Sequence, residues 1–433
     1  MSAHAGDPLL INLEWLVDRG WLDPAVFEQR VTDLRSFRLT ALRQGFLGFK
    51  CESEETYYRR QFRAFCRDNA YWLEDYALYA ALRSAFGNEP WQNWLVGFRD
   101  RDATALNEAK WRLAWVIERI QFEQFVFFRQ WEELRRHAEC RGVLLFGDMP
   151  IFVAGDSAEV WADRENFDLD EAGQPRVVAG VPPDYFSATG QRWGNPHYNW
   201  SRMQKGGFQW WINRLKTHLE LYDLIRIDHF RGFEAYWEIP AGEPTAVNGR
   251  WVKAPGHELL AAFYKAFGGA GLPLVAENLG IITDEVESMR QYFGIPGMLI
   301  LQFAFDGGAD NPYLPANHTE NSVVYTGTHD NDTTVSWFAS LADQQKQFVE
   351  NTLAGCKEPM PWPLIASAFA STARLAIIPM QDFLELGAEA RMNTPGTMST
   401  ANWRWRFDWQ QLNSGLDKRI RLLAGSFDRL PKG

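Results

Sequence analysis

The first 140 residues carry apolar side chains at the spacing of α-helices. The clearest run extends from Trp111 to Arg136, where the apolar residues on one broad side are Leu113, Val116, Ile117, Ile120, Phe125 and Phe128. The remainder of this part mixes charged stretches with apolar positions at a similar spacing. We therefore predict a mainly helical insertion subdomain over residues 1–140.

The pattern changes at Gly142. From there, short apolar runs rich in β-forming residues alternate with longer helical stretches, which is typical of a parallel sheet. Six such runs occur, at residues 143–153, 221–228, 272–277, 298–305, 322–330 and 373–382. An acidic residue marks the end of each run: Asp148, Asp228, Glu277, Asp306, Asp330 and Asp382.

Acidic residues at the ends of six apolar strands favour an α/β fold of the (β/α)8 TIM-barrel type, whose active site lies at the carboxyl ends of the strands. A doubly wound sheet also binds ligands at strand ends, but it gathers them at one switch point. We predict barrel strands over residues 141–433. The region from 154 to about 210 is too long for an ordinary βα loop, so we predict a substrate-site insertion there.

A closed barrel of this type needs eight strands, whereas the pattern shows six. We therefore expect the chain to lack its first two βα units, so that the six runs are strands 3 to 8. Six strands would leave two apolar edges unpaired, and we expect such a product to be poorly soluble or inactive.

Composition narrows the possible partners. The 433 residues carry 44 basic and 55 acidic side chains, a net charge of −11, which argues against nucleic acid and membrane surfaces as partners. The 20 Trp, 30 Phe and 13 Tyr suggest surfaces for flat apolar ligand faces. No run approaches the roughly 18 apolar residues of a membrane span, and no signal-peptide pattern is present, so we expect a cytoplasmic protein.

Three of the carboxylates form a pattern that suits sugar chemistry. Arg226 and Asp228 are two apart on a predicted strand and point to the same face, where the guanidinium favours an ionised Asp228. Glu277 ends an apolar strand, and we expect desolvation to keep it protonated. An ionised and a protonated carboxyl together are the pair that retaining glycosidases use. Asp330, beside His329, is a third acidic group for sugar hydroxyls.

Any one carboxylate at a strand end is more often a helix cap or an ion-pair partner than a catalyst. Only the combination of three carboxylates with Arg226 and His329 favours a catalytic function.

Other chemistries fit less well. The glycines at 267–271 precede a strand, unlike a dinucleotide-binding loop, and the stretch DNDTT at 330–334 lacks calcium-loop spacing. The four cysteines are scattered without a CxxC pair. We expect no cofactor and no metal.

Several long strings resemble the 4-α-glucanotransferases of glycoside hydrolase family 77, also called amylomaltases or disproportionating enzymes. They are GDMPIFVAGDSAEVWA (147–162), VAGVPPDYFSATGQRWGNPHYNW (178–200), LIRIDHFRGF (224–233), AENLG (276–280), TGTHDNDTT (326–334) and PMQDFLELGAEARMNTPGT (379–397). The resemblance extends from near residue 3 to the C-terminus, and members of the family carry about two further strand–helix units before that point.

The resemblance implies a catalytic role for three residues. It implies that Asp228 is the nucleophile, Glu277 the general acid/base, and Asp330 the group that stabilises the transition state. It further implies substrate-binding residues around them: Arg226, His329, Asp184, Gln191, Trp193, Trp251 and Asn393. We single out Trp193 and Trp251 among the tryptophans because each lies among Gly, Asn and Pro residues, a pattern typical of a loop.

The implied reaction is the transfer of α-1,4-glucan segments between malto-oligosaccharides through a covalent glucosyl-enzyme intermediate. The implied partners are malto-oligosaccharides, maltose, glucose and glucans derived from starch or glycogen, and we expect a monomer. Two alternatives remain open from the sequence. One is a truncated, inactive glucan-binding fragment, and the other is an α-glucan hydrolase.

Overall fold

The computed structural model describes residues 1–28, 32–183, 187–268 and 271–430. Contacts between Cα atoms divide the chain into two compact units, Met1–Pro273 and Leu274–Gly433. Within the described ranges, none of the helices combines the length and the apolar character that a membrane span requires.

Helices occupy the first part of the first unit, as the apolar spacing predicts. They are α1 (Glu14–Val17), α2 (Leu34–Lys50), α3 (Tyr57–Asp68), α4 (Ala70–Ala85), α5 (Val96–Arg99), α6 (Ala103–Arg112) and α7 (Ala114–Glu139). Side-chain oxygens of Asp33, Thr56 and Asp102 accept hydrogen bonds from backbone N–H groups in the first turns of α2, α3 and α6. These caps explain where the three helices begin.

The predicted apolar run from Trp111 to Arg136 spans a helix boundary. Leu113 separates α6 from α7, and Trp111, at the end of α6, is largely exposed. On α7 the predicted residues Ile120 and Phe125 are buried, and Phe122, which was not predicted, is fully buried with them. The ring of Phe122 packs 5.5 Å from that of Phe46 and 4.8 Å from that of Phe49, between centroids. Much of the aromatic excess therefore forms this core.

Two parallel strands of the first unit position its candidate site residues. Strand β1 (Phe146–Pro150) pairs with β4 (Leu224–Asp228), and this register places Asp148 opposite Arg226. The carboxylate of Asp223 accepts a 2.8 Å hydrogen bond from the backbone N–H of Leu145, which ties the beginnings of the two strands together. Three helices lie between these strands in the sequence: α8 (Ala158–Ala162), α9 (Trp200–Lys205) and α10 (Gln209–Leu221).

The predicted loop-rich insertion contains strands that the sequence pattern did not reveal. A four-stranded antiparallel sheet has the order β3-β2-β5-β6, formed by β2 (Val177–Val181), β3 (Gln191–Pro196), β5 (Ala235–Pro240) and β6 (Arg250–Lys253). Glycine and proline interrupt the apolar alternation in these short strands. Gly180 is required in β2, because a Cβ atom there would lie 2.1 Å from the backbone oxygen of Gln191 on β3. Helix α11 (Gly256–Phe267) follows the sheet.

The second unit contains the remaining four predicted strands. Strand β7 (Leu274–Ala276) begins it, and β8 (Gly297–Ile300), β9 (Ser322–Tyr325) and β10 (Leu375–Ile377) form a parallel sheet in the order β10-β9-β8. Its helices are α12 (Asp284–Tyr292), α13 (Thr334–Ser340), α14 (Asp343–Thr352), α15 (Trp362–Ala370), α16 (Met380–Phe383) and α17 (Leu416–Ser426).

All six predicted strand runs contain a strand, but the strands are shorter than the runs. The run at 298–305 turns into a 3-10 helix at Leu301, and the run at 373–382 enters α16 at Met380. Apolar composition alone does not separate the end of a buried strand from the helical turn that follows it. The fold is α/β with parallel strand pairs, and closure into an eight-stranded barrel stays a prediction.

Candidate active site

Asp228 is the last residue of β4, and Arg226 contacts it as the two-residue spacing predicts. One guanidinium nitrogen of Arg226 donates a 2.8 Å hydrogen bond to Oδ1 of Asp228, and another donates a 2.6 Å bond to Oδ2 of Asp148. The side chain of Arg226 is 10% exposed, whereas both carboxylates are about half-buried. The planar guanidinium therefore spans two carboxylates and holds one oxygen of each in a fixed direction.

The pairing of β1 with β4 explains why Asp148 belongs to this group. The motif GDMP marked Asp148 only as the end of a strand, and its contact with Arg226 depends on the parallel register. Sequence reasoning missed it as a site residue. The prediction that Asp148 ends its strand is wrong, because Asp148 is the middle residue of β1, and this position places it opposite Arg226.

His229 follows Asp228 in a left-handed backbone conformation, with a φ of 54°. Burial, together with the positive charge of Arg231, lowers the pKa of His229 to about 3, so the imidazole is neutral at physiological pH. Its ring contacts that of Trp193 edge-on, with centroids 5.0 Å apart. This buried histidine was not predicted as a site residue, and its position directly after Asp228 is the only sequence signal for it.

Gln191 and Trp193 lie two residues apart on β3, and Trp193 contacts His229. The indole Nε1 of Trp193 donates a 3.1 Å hydrogen bond to Oε1 of Gln191. The Trp193 side chain is 39% exposed, so part of its ring is free for a ligand. The prediction that Trp193 lies in a loop is wrong, because cross-strand pairing overrides the loop-forming tendency of the surrounding Gly and Asn residues. Asp184, the third predicted contact of this stretch, lies outside the described residues.

Trp251 lies on β6, so its assignment to a loop is also wrong. The guanidinium of Arg231 stacks over its ring at 3.8 Å from the centroid, and the ring of Trp237 contacts it edge-on at 5.3 Å. The side chain is 41% exposed. One face of Trp251 is therefore occupied by a cation–π contact, and only the remaining surface is open to a sugar.

In the second unit, Glu277 follows directly after β7 and is half-buried. Its Oε1 atom accepts a 3.1 Å hydrogen bond from the backbone N–H of Leu279. Burial, with the nearby charges of Glu277 and Asp306, raises the pKa of the Tyr313 phenol to about 12. The phenol of Tyr313 is therefore neutral at physiological pH.

Asp330 is held by its own neighbours in the second unit. Nδ2 of Asn393 donates a 2.7 Å hydrogen bond to Oδ1 of Asp330, and Nε2 of His329 lies 3.5 Å from Oδ2. Arg391 donates to the backbone oxygens of Asp330 and Asn393, each at 2.9 Å. The structure thus brings together three predicted residues, His329, Asp330 and Asn393, and adds Arg391, whose position two residues before Asn393 was the missed signal.

Two other acids that end predicted strand runs, Asp382 and Asp306, lie beyond the strands themselves and have structural roles. Asp382 is buried and accepts hydrogen bonds from the hydroxyls of Thr326 and Thr334, at 2.6 and 2.7 Å, and from the backbone N–H of Thr334 at 2.8 Å. These contacts cap the beginning of α13. Asp306 accepts a 3.2 Å bond from the side chain of Asn311 at the surface. An acidic residue at the end of an apolar run therefore does not by itself identify a functional carboxylate.

Among the residues that the structure describes, no three His, Cys, Asp or Glu side chains gather in an arrangement that would hold a metal ion. The candidate chemistry consists of carboxylates, a shared guanidinium, amides, imidazoles and partly exposed indole rings. Such a set binds polyhydroxylated ligands through hydrogen bonds and stacked rings.

Comparisons with known proteins identify the family. A family model described as 4-alpha-glucanotransferase, glycoside hydrolase family 77, matches residues 1–412. The 4-alpha-glucanotransferase of Thermus thermophilus is 51% identical over 99% of this chain and 88% of its own length, and that of Synechocystis sp. is 46% identical over 99% and 86%. The structure of an amylomaltase from Streptococcus agalactiae in complex with acarbose superposes with a TM-score of 0.94 at 35% identity, covering 99% of this chain and 88% of that one. The chain therefore belongs to the 4-alpha-glucanotransferases of glycoside hydrolase family 77.

Proposed function

We propose that this 4-alpha-glucanotransferase moves α-1,4-glucan segments between malto-oligosaccharides by retaining double displacement, with Asp228 as nucleophile, Glu277 as general acid/base and Asp330 as transition-state stabiliser. The observation that carries the proposal is the hydrogen bond from Arg226 to Asp228, because a nucleophilic carboxylate must be ionised and oriented. Asp228 and Glu277 both stand at the carboxyl ends of strands, where barrel enzymes build their sites.

In the first step, a carboxylate oxygen of Asp228 attacks the anomeric carbon of the donor glucan. The glycosidic C–O bond breaks as Glu277 gives its proton to the leaving oxygen, and a glucosyl ester of Asp228 remains. In the second step, the 4-hydroxyl of an acceptor sugar attacks the same carbon, the ester C–O bond breaks, and the Glu277 carboxylate takes the hydroxyl proton. Two inversions retain the α configuration.

The other predicted residues bind substrate in this proposal. Asp330, oriented by Asn393, accepts hydrogen bonds from sugar hydroxyls, and His329 donates one beside it. Arg226 keeps Asp228 charged. Trp193 and Trp251 offer partly exposed indole surfaces to sugar faces, with Gln191 and Asp184 among the polar contacts.

We further propose that the six predicted strands are strands 3 to 8 of a (β/α)8 barrel over residues 141–433. Residues 1–140 form its helical insertion subdomain, and the stretch from 154 to about 210 supplies substrate contacts. The donors and acceptors would be malto-oligosaccharides, maltose, glucose and glucans from starch or glycogen. The enzyme would act as a monomer. The acarbose complex of the Streptococcus agalactiae relative supports this substrate class.

The two alternatives left open by the sequence are not favoured. Relatives that are 51% and 46% identical to this chain are named 4-alpha-glucanotransferases, which supports glucan transfer over hydrolysis or binding alone.

Incubation of the full chain with maltotriose tests the proposal. We expect glucose together with a ladder of products longer than maltotriose, a result that would contradict the inactivity expected from a count of six strands. Asp228→Asn should abolish both products because the ester can no longer form. Glucose and maltose without longer products would indicate a hydrolase. A complete lack of products, with maltotriose still bound, would indicate a glucan-binding protein.

A further inference from the structure

Trp403 lies beside the His329–Asp330 pair, although 73 residues separate it from Asp330 in the sequence. The ring centroids of Trp403 and His329 are 5.1 Å apart, at an interplanar angle of 40°. The Trp403 side chain is nevertheless 60% exposed. A large apolar ring is therefore presented to solvent next to a proposed sugar-binding carboxylate.

The backbone of Trp403 is in a conformation that its side chain disfavours. Its φ is 60°, in the left-handed region where a bulky residue is sterically unfavourable and glycine or asparagine is preferred. Strain of this kind persists only where surrounding contacts hold it, and it is concentrated at functional sites.

Three hydrogen bonds hold the turn that carries Trp403. The backbone N–H of Trp403 donates to the oxygen of Met392 at 2.7 Å. The side chain of Asn402 accepts from the N–H of Thr394 at 3.2 Å and donates to the oxygen of Thr397 at 3.2 Å. The turn is thus fastened to the residues on both sides of Asn393, which itself binds Asp330. Trp403 and the Asp330 carboxylate are therefore positioned by one local structure.

We propose that Trp403 is a substrate-binding residue, a stacking surface for a glucose unit of the glucan that His329, Asp330 and Asn393 hold by its hydroxyls. The inference rests on the proposed function, because it takes those three residues as sugar contacts. A glucose ring has apolar faces and a polar rim, so a site for it combines a flat aromatic ring with hydrogen-bonding groups at the edge. The indole of Trp403 supplies the flat ring. The carboxylate of Asp330, the amide of Asn393 and the imidazole of His329 supply the hydrogen-bonding groups.

A different role for Trp403 would be to support the imidazole of His329 without touching the sugar. The two roles differ in what a truncated side chain changes. Loss of a stacking surface weakens glucan binding, whereas loss of a support misplaces His329 and lowers turnover with binding unchanged.

Glucan binding measured by calorimetry on the full chain tests the proposal directly. The Asp228→Asn background prevents turnover, and maltoheptaose is the probe. We expect Trp403→Ala to weaken binding about tenfold, which corresponds to the loss of one aromatic stack. Trp403→Phe should bind maltoheptaose with an affinity between those of the parent and Trp403→Ala, because phenylalanine keeps a smaller aromatic ring.

Two further variants separate binding from folding. Trp403→Gly should bind as weakly as Trp403→Ala but melt at a higher temperature, because glycine relieves the left-handed strain that alanine keeps. Trp409→Ala is the matched control, since Trp409 is 78% exposed on the same C-terminal segment and packs on Phe407 instead. It should bind maltoheptaose like the parent.

Unchanged binding by Trp403→Ala would overturn the proposal. So would a fall in kcat on maltotriose with unchanged KM and Kd, which is the signature of a support for His329. A protein that forms no product ladder contradicts the proposed function, and the calorimetric comparison still decides the role of Trp403 in that case. A ladder with parent-like binding by Trp403→Ala contradicts only the present inference.

Discussion

The side chain of Arg226 orients two neighbouring carboxylates. Its guanidinium donates to both Asp148 and Asp228 from a largely buried position. Only arginine has donors arranged to reach two carboxylates at once, since a lysine ammonium is a compact point charge on a flexible chain. The orientation of the proposed nucleophile therefore depends on this residue.

We predict that Arg226→Lys lowers kcat/KM for maltotriose by about 100-fold, which is roughly 2.7 kcal/mol of transition-state stabilisation. The variant keeps a positive charge but loses the bridge, so Asp228 is less well oriented. Initial rates of glucose release measure the effect, and Arg60→Lys on the exposed side of α3 is the matched control. Activity of Arg226→Lys within twofold of the parent would contradict the importance of the bridge.

The environment of each carboxylate, and not its place at the end of an apolar run, separates the structural acids from the proposed functional ones. Asp382 is buried and accepts three hydrogen bonds from threonines, whereas Asp228 and Asp330 keep about two-fifths of their side chains exposed to a ligand. Burial raises the pKa of Asp382 despite those bonds. A carboxylate that is fully enclosed by its own chain stabilises the fold and leaves no oxygen for a substrate.

At the scale of elements, the antiparallel sheet determines the positions of Trp193 and Trp251. Trp193 lies on β3 and Trp251 on β6, the two outer strands of the order β3-β2-β5-β6. The central strands pair Gly180 of β2 with Trp237 of β5. A substitution in a central strand should therefore displace an outer strand together with the proposed substrate contacts that it carries.

We predict that Gly180→Ala destabilises this sheet and weakens glucan binding. The new Cβ atom would meet the backbone oxygen of Gln191 at 2.1 Å, so β3 must move away from β2 together with Gln191 and Trp193. We expect a loss of about 1–3 kcal/mol in the free energy of unfolding and a higher KM for maltotriose. Urea denaturation and steady-state kinetics measure the two effects.

Gly242→Ala provides the control for that substitution. Gly242 follows β5, and a Cβ atom there would have no neighbour within 4 Å. It should leave both stability and KM close to those of the parent. Equal effects of the two substitutions would show that the close approach of β2 and β3 is not responsible.

At the scale of the whole molecule, the first unit buries four neutral histidines, His4, His197, His218 and His229. Burial is the main cause that lowers their pKa values, to about 3, 4, 4 and 3 respectively. In the unfolded chain each regains a pKa of about 6.5. Below that pH the unfolded state binds more protons than the folded state, so stability falls as the pH falls.

We predict that the free energy of unfolding decreases between pH 7 and pH 5, by about 2 kcal/mol for each of these histidines. Glu123 and Glu159, whose pKa values are raised by burial, act in the opposite direction and reduce the net change. Urea denaturation at several pH values measures the slope. His218→Gln should make it shallower, whereas the same change at the exposed His137 should not. A slope that His218→Gln leaves unaltered would contradict the prediction.

The sequence by itself determined the features that depend on neighbouring residues. Apolar spacing predicted the helices up to residue 139, and each of the six β-rich runs contains a strand, because periodicity and side-chain branching act within a few residues. The pairing of Arg226 with Asp228 also followed from a two-residue spacing on a strand. The resemblance of long motifs then identified the family, which the comparisons confirmed.

Only the tertiary structure decided how distant residues meet. It joined Asp148 to Arg226, formed a sheet from glycine-interrupted strands, covered one face of Trp251 with Arg231, and placed Trp403 against His329. None of these contacts is encoded in local periodicity, because each depends on strand register or on the path of a turn between residues far apart in the sequence. The local pattern selects the elements, and packing between them determines which polar and aromatic side chains remain open to a sugar.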